Sequence, residues 1–376
     1  MDFSDDPAVA AFRAGLRSWL RDNLATAGAG TGYESVEAVE RTHRWHRALA
    51  EAGYVGVSLP AEYGGRGLPD TYEAVVNQEL ALASAPPAPP IGHIAHAVAD
   101  FASPDLKSRV LPGLLGCTEQ WCQGFSEPGA GSDLASLTTT ATPDGDRFVV
   151  NGQKIWTSGA MWSRWCLLLA RTEPDQPRHR GLSMLVVDMQ SAGVDRREIT
   201  LANGSREFAE VFFDDVEVPA ANLVGQRGQG WAIAMHMLSY ERGPADMGWV
   251  GRLGQVIATA RAAIESGQVV ADEPLRQRLA AAAVEVEVLG WHVARSLASR
   301  AAGAPSEAGS VDKLLTIRVE QNLYRVVGDL AGPSFVVGDA TPFANYLWSR
   351  AQSIYGGTQQ IQRQIVAQRI LGLPRS

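Results

Sequence analysis

Apolar positions recur at helical spacing at both ends of this chain and at strand spacing in its middle. Near the start, Val9, Phe12, Leu16, Trp19 and Leu20 fall on one helical face, the i, i+3, i+4 recurrence of an amphipathic element. Asp6 ahead of Pro7 supplies an N-cap followed by proline at the first helical position, where a backbone N–H has no partner to lose. Similar patterns cover residues 36–52 and 71–83. They are separated by Glu62-Tyr-Gly-Gly-Arg-Gly-Leu-Pro69 and followed by Ala85-Pro-Pro-Ala-Pro-Pro90, both rich in chain breakers. Residues 1–116 therefore read as an α-helical domain.

From Cys117 the texture changes. Arg147-Phe-Val-Val-Asn-Gly-Gln-Lys-Ile-Trp156 sets Asn151-Gly152 between two β-prone runs, which predicts a hairpin turning at that dipeptide. Residues 165–170, 182–188 and 210–218 supply further strands, the last closed by Pro219, which has no N–H to give a ladder. Helical periodicity returns near Gly225, starting with Gly230-Trp-Ala-Ile-Ala-Met-His-Met-Leu-Ser-Tyr240 and continuing through 275–302 and 311–330. The expected fold class is α+β in three domains: an N-terminal α-helical domain over 1–116, a middle β domain over 117–225 and a C-terminal α-helical domain over 226–376. No internal repeat or heptad array is present, so solenoid and coiled-coil architectures drop out.

Composition narrows the class of function. The 376 residues are 45% hydrophobic and 20% charged, with a formal net charge of -8, ordinary values for a globular protein. With no Lys/Arg block to track a phosphate backbone, nucleic acid is not an expected partner. Cys117, Cys122 and Cys166 are odd in number and lack zinc or disulfide spacing, so reduced thiols and a cytoplasmic location are expected. The acidic start has no apolar signal core, and no run approaches the ~20 apolar residues that span a bilayer. His43/His46 and His93/His96 have helical spacing but no carboxylate at a zinc-motif offset, so no metal is expected. No Gly-x-Ser-x-Gly elbow is present for serine chemistry.

Gln123-Gly-Phe-Ser-Glu-Pro-Gly-Ala-Gly-Ser-Asp133 gathers glycines and hydroxyls in a turn, where backbone can approach a planar or anionic ligand. Alone it reads as a structural turn, and neither it nor Gly225-Gln-Arg-Gly-Gln-Gly230 fits a dinucleotide or phosphate-loop fingerprint. It is, however, the first of four segments in a fixed order. The others are Asn151-Gly-Gln-Lys-Ile-Trp-Thr-Ser158, Glu210-Val-Phe-Phe-Asp-Asp-Val-Glu-Val-Pro219 and Ser353-Ile-Tyr-Gly-Gly-Thr-Gln-Gln-Ile-Gln-Arg-Gln-Ile-Val-Ala-Gln-Arg-Ile-Leu-Gly-Leu-Pro-Arg375. Together these resemble the motifs of acyl-CoA dehydrogenases over essentially the whole chain. The resemblance implies an acyl-CoA dehydrogenase-like fold, with an N-terminal helical domain, a β-barrel-like middle domain and a C-terminal four-helix bundle.

It also implies FAD, an acyl-CoA or acyl-carrier-protein thioester as substrate, and an electron-transfer flavoprotein as oxidant. Carried over residue by residue, Phe125, Ser126 and Ser132 would line the isoalloxazine ring, Trp156 would cover one face and Ser158 would sit near N5, with Thr157 between them. Thr358 and Gln360 would reach the ribityl or pyrophosphate portion. Ser132, Tyr240, Arg242, Gly356 and Gly357 would lie near the thioester, Gly356 through its backbone N–H. Trp156 also reads as a core aromatic, and Thr358 as a plain N-cap for a helix over 359–371.

The reaction needs a carboxylate for the α-proton, opposite the hydride acceptor. Many members carry that glutamate directly after the signature tyrosine, where this chain has Gly356. Other members place it on the helix after the β domain, and the Glu-Arg pair then assigns Glu241. On one continuous helix Glu241 would share a face with Ala234, Leu238, Ala245 and Gly248, an inward-facing stripe. A desolvated carboxylate has a raised pKa, useful in a base that becomes an acid; a buried ion pair with a distant arginine fits the same pattern.

Two departures bear on assembly. The Arg-x-x-Phe-Gly and Gln-x-x-Gly-Gly-x-Gly elements that members use to complete the flavin site across a dimer are absent. A homodimer or tetramer therefore competes with a heterotetramer containing a second dehydrogenase chain. A flavin oxidase or monooxygenase, an acyl-carrier-protein desaturase, and a non-catalytic partner subunit are the other functions compatible with this fold.

Overall fold

The computed structural model describes residues 5–27, 32–240, 243–303, 307–337 and 341–374. Five helices come first: α1 Pro7–Ala27, α2 Val36–Glu51, α3 Asp70–Leu82, α4 Gly92–Phe101 and α5 Pro104–Leu115. Leu16 and Leu20 of α1 are buried as their spacing predicts. Its solvent-side Arg13 and Arg17 reach the buried Glu79 of α3 at 2.6 and 2.7 Å.

Eight strands follow: β1 Trp121–Gly124, β2 Thr140–Asp144, β3 Arg147–Ser158, β4 Trp165–Arg171, β5 Leu182–Asp188, β6 Val194–Ile199, β7 Phe208–Pro219 and β8 Leu223–Val224. They form one sheet in the order β6-β7-β3-β2-β4-β5-β8, with β1 paired in parallel to β4. The unbroken apolar run of β4 arises because both its faces are covered. Leu167 and Leu169 join the core of the N-terminal helices, whereas Leu168 and Ala170 join a second core with Val211 and Phe213, the alternation a pleated strand imposes.

The hairpin does not turn where Asn151-Gly152 suggested. Asp144 pairs with Arg147, so the turn is Asp144-Gly145-Asp146-Arg147, and Asn151-Gly152 lies inside β3 at a shift in register against β7. Gly152 has φ +148°, and a Cβ there would stand 2.7 Å from Thr139 Cα. The dipeptide therefore builds a bulge rather than a loop, a second use of glycine's freedom at positive φ.

The remaining helices are α6 Gly230–Tyr240, α7 Pro244–Glu265, α8 Glu273–Ala301, α9 Ala308–Ala331, α10 Pro333–Val336, α11 Thr341–Ala351 and α12 Gln359–Ile365. Leu253, Leu289, Val293 and Leu323 form the core of this part. The expected continuous helix through 241 is broken: α6 ends at Tyr240, and α7 starts afresh at Pro244 behind Gly243, whose φ is +117°. Ala234 and Gly248 are buried but Ala245 is exposed, so these residues do not make one inward stripe. α12 is also shorter than the expected 359–371, giving way to a π-helical turn over Val366–Ile370.

Gly230 fixes the entry of α6 against the sheet. A Cβ at this position would lie 2.6 Å from the backbone of Ser183 in β5, and neither backbone can yield without breaking strand or helix. Gly230→Ala is expected to cost about 1–3 kcal/mol in urea unfolding; an unchanged midpoint would contradict this account of the contact.

Candidate functional site

The glycine-bearing loop after β1 is held by a buried ion pair. Glu127 and Ala130 exchange backbone hydrogen bonds of 3.1 and 3.0 Å, closing the turn. The Glu127 carboxylate accepts from Thr138 N (2.7 Å), Thr138 Oγ1 (2.8 Å), Thr139 N (2.9 Å) and Lys154 Nζ (2.9 Å). Lys154, wholly buried on β3, also donates to Phe125 O at 2.9 Å. Burial alone would raise the Glu127 carboxyl, but the Lys154 charge and these hydrogen bonds hold it at about 2. Burial pulls Lys154 down to about 8 against the attraction of Glu127. A charge this deeply buried requires such a partner. Ile155 N donates to Ser126 O at 2.9 Å, completing the attachment of the loop to β3.

The next residue turns outward. Trp156 has φ +61°, a strained backbone for a bulky side chain, worth about 1–3 kcal/mol. It sits in the register shift between Lys154 and Thr157. The result is an indole 55% exposed, with Ser158 also exposed and Thr157 buried between them. In the loop after β1, Gly129 and Gly131 have open space where a Cβ would stand.

An aromatic series joins this face to the end of the chain. Trp156 meets Phe208 edge-on (6.0 Å, 81°), Phe208 stacks on Trp348 (6.0 Å, 17°), and Trp348 packs on Tyr355 (6.0 Å, 47°). Gly356 and Gly357 follow with φ +61° and +84°. The buried Gln362 Nε2 donates to their carbonyls at 3.3 and 3.2 Å. Thr358 is the N-cap of α12, its hydroxyl accepting from Ile361 N at 3.2 Å. Segments some 200 residues apart in the chain thus meet around Trp156.

Ser126, Trp156 and Ser158 therefore lie together at β3, and the aromatic series runs from them to the segment that carries Gly356 and Gly357. The Phe125 and Thr157 side chains are buried. Ser132 and Gln360 are exposed. Tyr240 stacks flat on His96 of α4 (3.9 Å, 9°), and His96 Nε2 lies 3.1 Å from Ser58 Oγ, which donates to the Glu73 carboxylate at 3.0 Å. Burial raises the Glu73 carboxyl and lowers the His96 imidazole. His93, on the same helix, is 3.0 Å from Gln123 on β1, linking this end to the strand that precedes the glycine-bearing loop. Glu241 and Arg242 lie outside the described residues.

Sequence reasoning passed over Glu127, Lys154, Phe208 and Trp348. A signal existed for one of them: Lys154 is one of only three lysines in the chain, set in a strand, where an ammonium has to find a carboxylate. Among the described residues no cluster of His, Cys, Asp or Glu could hold a metal ion, and no helix is long and apolar enough to cross a membrane.

Models of the acyl-CoA dehydrogenase N-terminal, middle and C-terminal domains match residues 7–117, 122–216 and 228–371. Acyl-CoA dehydrogenase IpdE1 of Mycobacterium tuberculosis is 41% identical over 388 residues, covering 98% of both chains. Its namesake in Mycolicibacterium smegmatis is 39% identical, again over 98% of both. Among solved structures, the ChsE4-ChsE5 complex from Mycobacterium tuberculosis superposes with a TM-score of 0.85 at 27% identity, covering 100% of both chains.

Proposed function

The chain belongs to the acyl-CoA dehydrogenase family, and we propose that within it this protein oxidises the CoA thioester of a bulky, ring-bearing acyl group, with Glu241 as the base. It is an FAD-dependent oxidoreductase that introduces an α,β double bond, as its relatives are. The observation that carries the reading is the aromatic series from Trp156 through Phe208 and Trp348 to Tyr355, which links the strand face to the terminal signature.

The residues present fit a flavin: an exposed indole plane, hydroxyls on Ser126 and Ser158, and open space over Gly129 and Gly131. Bound FAD supplies the hydride acceptor. Trp156 would cover one ring face, and Ser158 would present its hydroxyl to the ring edge. The Lys154–Glu127 pair keeps the loop that carries Ser126 and Ser132 rigid, so little ordering is left for the moment of binding. On the substrate side, Glu241 would remove the α-proton and Gly356 N–H would donate to the thioester oxygen, stabilising the enolate-like charge that develops there. Tyr240, stacked on His96, and Arg242 would flank the base.

The size of the acyl group is inferred from the relatives' own descriptions. A variant form of the Tcur3481-Tcur3483 steroid ACAD superposes with a TM-score of 0.86 at 25% identity, over 98% of this chain. Both that protein and ChsE4-ChsE5 are two-chain assemblies by name, and the missing cross-dimer elements support a second dehydrogenase chain here as well. An electron-transfer flavoprotein would reoxidise the flavin. The test is kcat/KM over a panel of CoA thioesters, straight-chain to polycyclic. Polycyclic substrates are expected to lead by at least tenfold, about 1.4 kcal/mol in the transition state; a straight-chain preference would reject the substrate class.

A further inference from the structure

Gln352 follows α11 directly and is buried, although its side chain is an amide. Both ends of that amide are used. Its Oε1 accepts from Lys313 Nζ, and its Nε2 donates to the Glu320 carboxyl at 2.8 Å. Lys313 and Glu320 stand seven residues apart in α9, two turns along one helical face, so the amide bridges them lengthwise. Lys313 Nζ also lies 4.3 Å from the centroid of the Tyr355 ring, a cation–π contact. Tyr355 N donates to Ala351 O at 3.1 Å, and Gln321 Nε2 donates to Ser349 O at 3.0 Å. The end of α11 and the aromatic residue ahead of the two glycines are therefore both fastened to α9. Lys313, Glu320 and Gln352 have no part in the chemistry above.

We propose that Gln352 and Lys313 are positioning residues that fix the direction of the Gly356 N–H, the donor assigned to the thioester oxygen. The inference rests on that assignment. The Gly356 nitrogen belongs to the planar peptide it shares with Tyr355, so whatever holds Tyr355 also orients this N–H. Gly356 and Gly357, at φ +61° and +84°, are by residue type the freest pair of backbone units in the signature. A donor aimed at developing negative charge contributes most when it is already in place, and two glycines alone would not keep it there. Gln362 holds the pair from the far side through both carbonyls. Lys313 and Gln352 hold it from the near side through Tyr355.

The experiment binds to the FAD-loaded protein a ring-bearing acyl-CoA thioester that has no β-hydrogen, and so cannot be oxidised, with an isotope label at the carbonyl carbon. Infrared difference spectra read the carbonyl stretch, and kcat and KM are measured separately with an oxidisable thioester. The proteins compared are the unsubstituted chain, Gln352→Leu, Lys313→Met and Lys313→Arg. Binding to the unsubstituted chain is expected to lower the stretch. Gln352→Leu and Lys313→Met should return it towards the free value and lower kcat about tenfold with KM little changed, a part of the 10²–10³ that losing an oxyanion donor costs. Lys313→Arg still donates and stacks on a ring, so it should keep the stretch low. Lys313 is half-buried, and Lys313→Met decides the matter where Gln352→Leu does not fold. A carbonyl left unshifted by the unsubstituted chain shows that no N–H holds the thioester oxygen, and the inference falls with that assignment. A stretch that is lowered in the unsubstituted chain and stays as low in Lys313→Met overturns the positioning role alone.

Discussion

Glu241→Gln is expected to leave FAD and thioester bound while lowering turnover by a factor of about 10²–10⁴, the usual worth of a positioned general base. The expectation follows from Gly356. The signature position that could carry a carboxylate carries none, and a proton α to a thioester does not leave at a useful rate without a base. Glutamine keeps the shape of glutamate and removes its basicity, so the loss should fall on kcat, with KM little changed. Rapid mixing with substrate under anaerobic conditions separates the two: binding still perturbs the flavin spectrum, but bleaching slows. Unchanged turnover would assign the base elsewhere, or reduce this chain to a supporting subunit.

Lys154→Met should be the most damaging substitution to stability, at about 3–5 kcal/mol, because it leaves the Glu127 carboxylate buried without its counter-charge. The loss would be read by urea unfolding with FAD present and absent. It should be larger with FAD, since the loop that Lys154 fastens at Phe125 O and Glu127 carries proposed flavin contacts. A loss under 1 kcal/mol would show the pair to be dispensable. The pair also sets a pH dependence. Glu127 sits below its ordinary 4.5, so its contribution is complete above that pH and is lost as pH falls towards 2. Lys154 sits below its ordinary 10.5 at about 8. The cost of burying its charge is therefore present below pH 8 and fades as pH rises from 8 to 10.5.

The long elements were legible because each repeats a period many times over. The helices over 7–27, 36–51, 273–301 and 308–331 and the strands over 165–171 and 182–188 stand close to where apolar spacing put them. The failures share a cause, which is that one residue type serves two backbone purposes. Gly152 at positive φ could close a hairpin or open a bulge, and only the pairing of Asp144 with Arg147 decides between them. Pro244 could sit in the first turn of a new helix or kink an old one, and Gly243 at φ +117° decides for the break. In the candidate site, the exposed Trp156 and Ser158 lie in a segment that a motif had already singled out. Phe208 and Trp348 were not legible, since they come from distant segments that folding stacks together beside Trp156, and no local pattern announces that packing.

The most direct test of the central claim is anaerobic titration of the FAD-loaded protein with a polycyclic acyl-CoA thioester, following the visible flavin band and the thioester product together. The account predicts bleaching in step with one equivalent of the 2-enoyl thioester. A flavin that stays oxidised while the thioester is bound would contradict it.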